Sequence, residues 1–500
     1  MTDERLRAVW DLSVPVVRAE AGRHEYDGHL QDLSADGVRK GLARLPATPG
    51  DAPASTDELH LSIAENALRV TFGELEMHRR DPYLHLANLE LPNYDRDHSP
   101  EEVRRAARHA HLAGWPAAID VAISTLDLVS APVARSLLGP AAWLAADVPQ
   151  AEPALAGPAL AAHARLMAYL NRVADGGDPD GRLGAAGLAR LMGAAEGVDL
   201  DLGRLARDAE AERERLLGLL AEACDRLRPG ATPARLLPDL LADHPAPAGV
   251  LSETRDLVAE TIAFTRAHHL VPDLDGECRV GPTPAARRWV KAMMTWAAPD
   301  EPDCPSWYHV TLPEDDWPPE RVAEWMTIFS RTVLPAVTVH EVAPGHFAHG
   351  RVLRRARTPV RRTLHSVAFM EGWAHYGEEV CLELGFRADD PRFGIGVALE
   401  ALVRLTRLRC AIGLHTGAID LAEATRFFVE DAYLAPAVAR SEASRGLFDP
   451  TYGRYTWGKL VLRAARERAR ARAGFSLPAF HAELLALGCP PLAVVEHVFG

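Results

Sequence analysis

Five hundred residues, 48% apolar and 25% charged, describe a globular chain too long for one small core. A formal net charge of −14, with no Lys/Arg-rich block to reverse it locally, argues against nucleic acid or an anionic membrane surface as a partner. The polar first residues, the absence of any uninterrupted apolar span and six scattered cysteines lead to the expectation of a cytoplasmic protein with reduced thiols.

In chain order, helix signals dominate. Three Pro/Gly/Ala-rich stretches, 46–55, 148–158 and 228–249, read as loops. Ser99-Pro100-Glu101-Glu102 reads as a capping box that opens a helix through Val103 and Leu112. The best β-type run is Trp307 to Leu312, bounded by Pro305 and Pro313. Asp420-Leu-Ala-Glu423 and Ser476-Leu-Pro478 start two later helices. The fold class expected is mainly α, with a helical N-terminal lobe over 1–280 and a helical catalytic lobe over 281–500 that includes a small β-sheet. One continuous fold is the alternative.

The chemistry concentrates in His340-Glu341-Val-Ala-Pro344-Gly345-His346. In the zinc-hydrolase pattern H-E-x-x-H, two imidazoles lie one helical turn apart with a glutamate between them for proton transfer. Here the second histidine is at i+6, roughly 240° round a regular helix and facing the wrong way. Pro344 removes a backbone donor and Gly345 opens dihedrals closed to other residues, so the helix can bulge or unwind there and return His346 to the side of His340. A third ligand is required, since catalytic zinc usually has three protein ligands and one open position. Glu371, His375 and Glu378 share one helix face within about 60°. Of these, Glu371 suits the metal and Glu378 could hold a ligand imidazole by its other ring nitrogen. His375 is a substrate contact or a further support. His349 could share the face of His346. The metal expected is one Zn²⁺, although a His/His/carboxylate set also accepts other divalent ions.

These two segments resemble a bacterial family catalogued as domain of unknown function 885, whose paired patterns are H-E-x-x-P-G-H and E-G-W-A-x-Y-x-E. Gly413-Leu-His415-Thr-Gly417, Tyr455-Thr-Trp-Gly458-Lys459, Phe480 to Leu485 and an edge strand at Tyr308 to Leu312 are similar to it too. The resemblance, strongest from about 280 onward, implies a large helical metallopeptidase-like fold of the gluzincin type, with a deep cleft and a peptidase-type zinc centre. The chain departs from the pattern at His375, at Ala411 and over 449–454.

On this resemblance Glu341 is the base that activates a metal-bound water, and Tyr455, with Tyr452 and His415 as alternatives, donates to the oxyanion. Arg445 or Arg454 could pair with a substrate carboxylate. The strand containing Tyr308 could hold a peptide by strand addition. The function expected is hydrolysis of an amide or peptide bond in a small molecule or short peptide. A repurposed lyase or tailoring enzyme acting on a small metabolite is the alternative, and a scaffold without turnover a third. The oligomeric state is open.

Overall fold

The computed structural model describes residues 2–47, 54–146, 148–176, 180–301 and 303–500. It is 67% helical with one three-stranded sheet, which is a mainly α fold. Among the described residues, no helix is long and apolar enough to cross a membrane.

Three large apolar clusters organise the chain. In the first, the helices Glu101–Thr125, Ala131–Trp143 and Pro153–Asp175 close around Trp115, Leu137, Leu166 and Leu170. In the second, the helix Leu202–Leu227 lays Leu216 and Leu220 against Leu402 and Leu405 of Arg392–Thr416. The third joins Leu257 of Val250–Ala267 to Tyr308, Val339 and Trp373. Residues before and after 280 thus share the second and third cores.

The sheet runs β1 (Cys278–Pro282), β3 (Ser306–Val310), β2 (Ala292–Thr295), with β1 parallel and β2 antiparallel to β3. Alternation in β3 buries Ser306, Tyr308 and Val310 and leaves Trp307 and His309 partly exposed. The Trp307 strand is therefore real, but it is central and paired on both sides. The expectation of an open edge at Tyr308 fails for that reason, and the edges are β1 and β2.

Two of the expected caps form. Asp420 accepts from the Glu423 amide at 2.8 Å and Ser476 from that of Ala479 at 3.3 Å. The third does not. Pro100 itself takes the N-cap position ahead of Glu101–Thr125, which moves Ser99 one residue too far out, and its hydroxyl has no hydrogen-bond partner among the described residues. Two of the expected loops also contain helix, Pro153–Asp175 in one and Pro233–Ala242 in the other. Pro153 and Pro233 open these helices, where the missing N–H has no intrahelical partner to lose, while Pro158 and Pro238 lie further inside them. Of the stretch 46–55, residues 48–53 lie outside the described residues.

Candidate metal centre

The His340 segment does not bulge; it breaks. The helix Leu334–Glu341 ends at Val342 (φ −108°, ψ −80°), and a new helix, His346–Leu353, begins after Gly345 (φ −66°, ψ −138°). A Cβ on Gly345 would stand 1.7 Å from the His340 carbonyl oxygen, so only glycine permits so tight a passage. The Gly345 amide donates back to Val339 O at 3.2 Å, and that of Ala348 to Val342 O at 2.9 Å. Across the break the rings of His340 and His346 meet at 4.8 Å between centroids, 81° apart in plane.

The helix Val367–Glu383 packs on this break. Ser366 caps it through the Phe369 amide, Trp373 Nε1 donates to Pro344 O at 2.8 Å, and Gly377 leaves room for the Pro344 ring. Glu371 is thereby brought to both imidazoles, its Oε2 lying 3.2 Å from His340 Nε2 and 3.3 Å from His346 Nε2. Two ligands at about 2.0–2.1 Å on a tetrahedral ion are about 3.3–3.4 Å apart, so the donor set fits Zn²⁺ in type and spacing. His340, His346 and Glu371 place their ligating atoms within 4.8 Å of one another.

Behind them, Glu378 contacts His340 Nδ1 at 2.8 Å and accepts from Arg404 Nη1 at 3.0 Å. An Nδ1–H donated to Glu378 leaves the Nε2 lone pair of His340 directed at the centre. Burial and the charge of Arg404 push the His340 pKa down, but hydrogen bonds to Glu371 and Glu378 outweigh them and lift it to about 9. The same negative potential that attracts a proton there would hold a metal cation. Glu371, despite burial, is held well below the usual carboxylate range by His346 and by its bonds to both histidines. Glu341 differs. Burial raises its pKa against the pull of His346 and His340, and its Oε2 has no hydrogen-bond partner among the described residues. A buried, unpaired carboxylate beside a cation site is placed to take a proton.

The centre opens into a cavity of about 550 Å³ bordered by β2 and by His340, Glu341, His346, Glu371, Tyr455 and Arg445. Tyr455 arrives on the helix Arg454–Arg470, which crosses Val367–Glu383 at two glycines. A Cβ on Gly458 would stand 1.8 Å from Ala368 O, and one on Gly372 would stand 2.6 Å from the Gly458 carbonyl carbon. This approach stacks Tyr455 on His340, centroids 6.3 Å apart and planes within 16°. Burial pushes the Tyr455 pKa up to about 12, which keeps its hydroxyl a donor at neutral pH.

Five expected contacts do not border the cavity. Tyr308 is fully buried in the central strand. His375 is fully buried behind Glu378, 3.8 Å from it, on a helix enclosed on nearly every side, so sharing a face with Glu371 did not bring it to the cavity. Burial, then the charges of Lys459 and Arg404, drive its pKa well below the ordinary imidazole value. His415 contacts Gly446 O at 2.9 Å, Tyr452 packs against Gly446, and Arg454 donates to Thr451 of its own turn. His349 contacts Gly488 O at 3.1 Å and turns away from the centre. Sequence reasoning missed Lys291, Arg404, Arg407 and Glu442, which all border the cavity. One signal was available: Arg404 and Arg407 stand among Leu402, Val403, Leu405 and Leu408 in a largely apolar helix, where a buried guanidinium needs a reason.

Fold and site together define a mainly helical protein with a His/His/Glu cluster at the base of a cavity. The chain belongs to the family described as bacterial protein of unknown function (DUF885), whose model matches residues 15–498. Among solved structures it is similar to a candidate lipoprotein of unknown function from Shewanella oneidensis, at TM-score 0.77 and 19% identity, covering 99% of this chain and 98% of that one. It is also similar to a candidate lipoprotein from Colwellia psychrerythraea, at TM-score 0.76 and 17% identity, with 99% and 98% coverage. No curated protein matches. The neighbours overturn the expected cytoplasmic location: both are described as lipoproteins, a membrane-anchored or secreted class, and six unpaired cysteines do not outweigh that.

Proposed function

We propose that the protein is a metal-dependent hydrolase of the metallopeptidase type that cleaves an amide or peptide bond in a small substrate, with His340, His346 and Glu371 holding one Zn²⁺ or a similar divalent ion. The observation that carries this reading is the convergence of the three ligands beside an unpaired, buried Glu341. The ion would supply Lewis-acid polarisation of the substrate carbonyl and a lower pKa for water. Glu341 accepts the water proton and returns it to the leaving nitrogen. Tyr455 donates its hydroxyl hydrogen to the carbonyl oxygen as negative charge develops there. Glu378 keeps the His340 ring in register. An extended substrate can add to the free edge of β2, which borders the cavity.

The lyase or tailoring alternative drew on the departures at 375, 411 and 449–454. Ala411 is buried in the second core, and His375, Tyr452 and Arg454 lie off the cavity, so of those changes only Asp449, which holds Arg445, bears on its wall. Metal analysis of the purified protein and its Glu341→Gln variant, with mass spectrometry of a dipeptide panel, tests the proposal. The variant is expected to keep its metal and lose about 10²–10⁴ in rate. Full turnover by the variant would remove Glu341 from the mechanism.

A further inference from the structure

The cavity wall beyond Tyr455 carries three cations around two carboxylates. Arg407 grips Glu442 through Nε and Nη2, both at 2.8 Å, and Lys291 Nζ reaches the same carboxylate at 3.1 Å. Arg445 holds Asp449 at 2.9 and 3.1 Å and lies over the Trp289 ring. Glu442 is buried, and its charge is shared between two cations. Lys291 and Arg445 remain reachable, with 24% and 22% of their side chains exposed. Arg404 belongs to a separate group, paired with Glu378 and Glu400. Within the group of Arg407, Lys291, Arg445, Glu442 and Asp449 the cations thus outnumber the carboxylates by one, in a chain whose formal net charge is −14 and which has only three lysines.

This wall is close to the metal ligands. The Arg407 guanidinium lies 5.2 Å from the centre of the Tyr455 ring, which stacks on His340. At about 3.5 Å per extended residue, no more than about three residues span the interval from Arg407 to His340. Much of the remaining lining is aromatic, since five of the ten tryptophans border the cavity, among them Trp317 and Trp325, set edge-to-face at 5.4 Å.

We propose that the substrate ends in a carboxylate bound by Lys291, Arg407 and Arg445, with a large apolar group against the tryptophans: a short peptide with a free C-terminus, or an N-acylated amino acid. The inference deepens the hydrolase reading and rests on it for the word substrate, but the binding step can be measured separately. A planar carboxylate can accept from a guanidinium and an ammonium at once, and charge-assisted bonds of this kind are the strong ones.

The test is calorimetric titration of the zinc-loaded Glu341→Gln protein with N-acetyl-leucyl-phenylalanine and with its C-terminal amide. The free acid is expected to bind about 10–100-fold more tightly than the amide. That preference should collapse in a further Lys291→Met variant and persist in Lys291→Arg. Equal binding of acid and amide, or binding of neither, overturns the carboxylate subsite even where zinc-loaded wild-type protein cleaves both. Selective binding of the acid by a protein that cleaves nothing supports the subsite and removes the hydrolase reading instead.

Discussion

At the residue scale the centre depends on Glu378 as much as on the ligands. One of its oxygens faces His340 and the other Arg404, so it fixes a ring plane as well as a charge. Glu378→Gln is expected to weaken zinc binding by about 10–100-fold, read by competition with a chromophoric chelator; unchanged affinity would show that the ring is held by packing alone. Tyr455→Phe should leave zinc content intact and lower the rate by about 10²–10³, the usual cost of one oxyanion donor. His340, Glu341, His346 and Glu371 were legible in the sequence because each pattern is local and its chemistry demands those residue types. Lys291, Arg407 and Glu442 were not. They come from three separated segments, and no spacing rule links 291 to 407 and 442.

At the element scale, glycines carry the geometry. Gly345→Ala would drive a methyl group into the His340 carbonyl, and Gly458→Ala into that of Ala368. Each should cost about 1–3 kcal/mol or more, seen as a lower urea midpoint at unchanged slope. The first should also lose metal, whereas the second should keep it and fall in rate through Tyr455. The need for an irregular turn at Pro344-Gly345 was readable from the i+6 spacing, which left a bulge and an unwound turn both open; the structure takes the second, with one helix ending at Glu341 and another starting at His346. The helix starts at Pro153 and Pro233 were misread for a related reason. Proline is a breaker inside a helix and a favourable first residue, and composition does not distinguish the two. The strand at Trp307 was legible by alternation, while its central position depends on partners at 278–282 and 292–295 that carry little alternation themselves.

At the scale of the whole molecule, distant segments are pinned by charge as well as by apolar packing. His24 contacts Asp27 at 3.0 Å and Glu301 at 2.8 Å, and its ring stacks on His98 at 4.0 Å with planes 5° apart. His24, Asp27 and His98 also bring possible ligand atoms together, but in parallel stacked rings the in-plane lone pairs run side by side and do not converge on one ion. The cluster reads better as a charge clasp. Burial pushes the His24 pKa down, yet the two carboxylates prevail and lift it to about 9. A raised folded-state value means the contribution is complete below the ordinary imidazole pKa of about 6.5 and is lost as pH rises through about 9. Urea midpoints at pH 6.5 and 9.5 should therefore fall more for the wild type than for His24→Gln, and identical falls would show that the clasp carries no linkage.

The crossing at Gly372 and Gly458 has a consequence for how such a protein can diversify. Because main chain there rests on main chain, the spacing between the helix that bears Glu371 and the helix that bears Tyr455 leaves no room for a side chain at either crossing position. Substitutions at the tryptophan-rich lining and the cationic far wall can therefore reshape the cavity without disturbing that crossing.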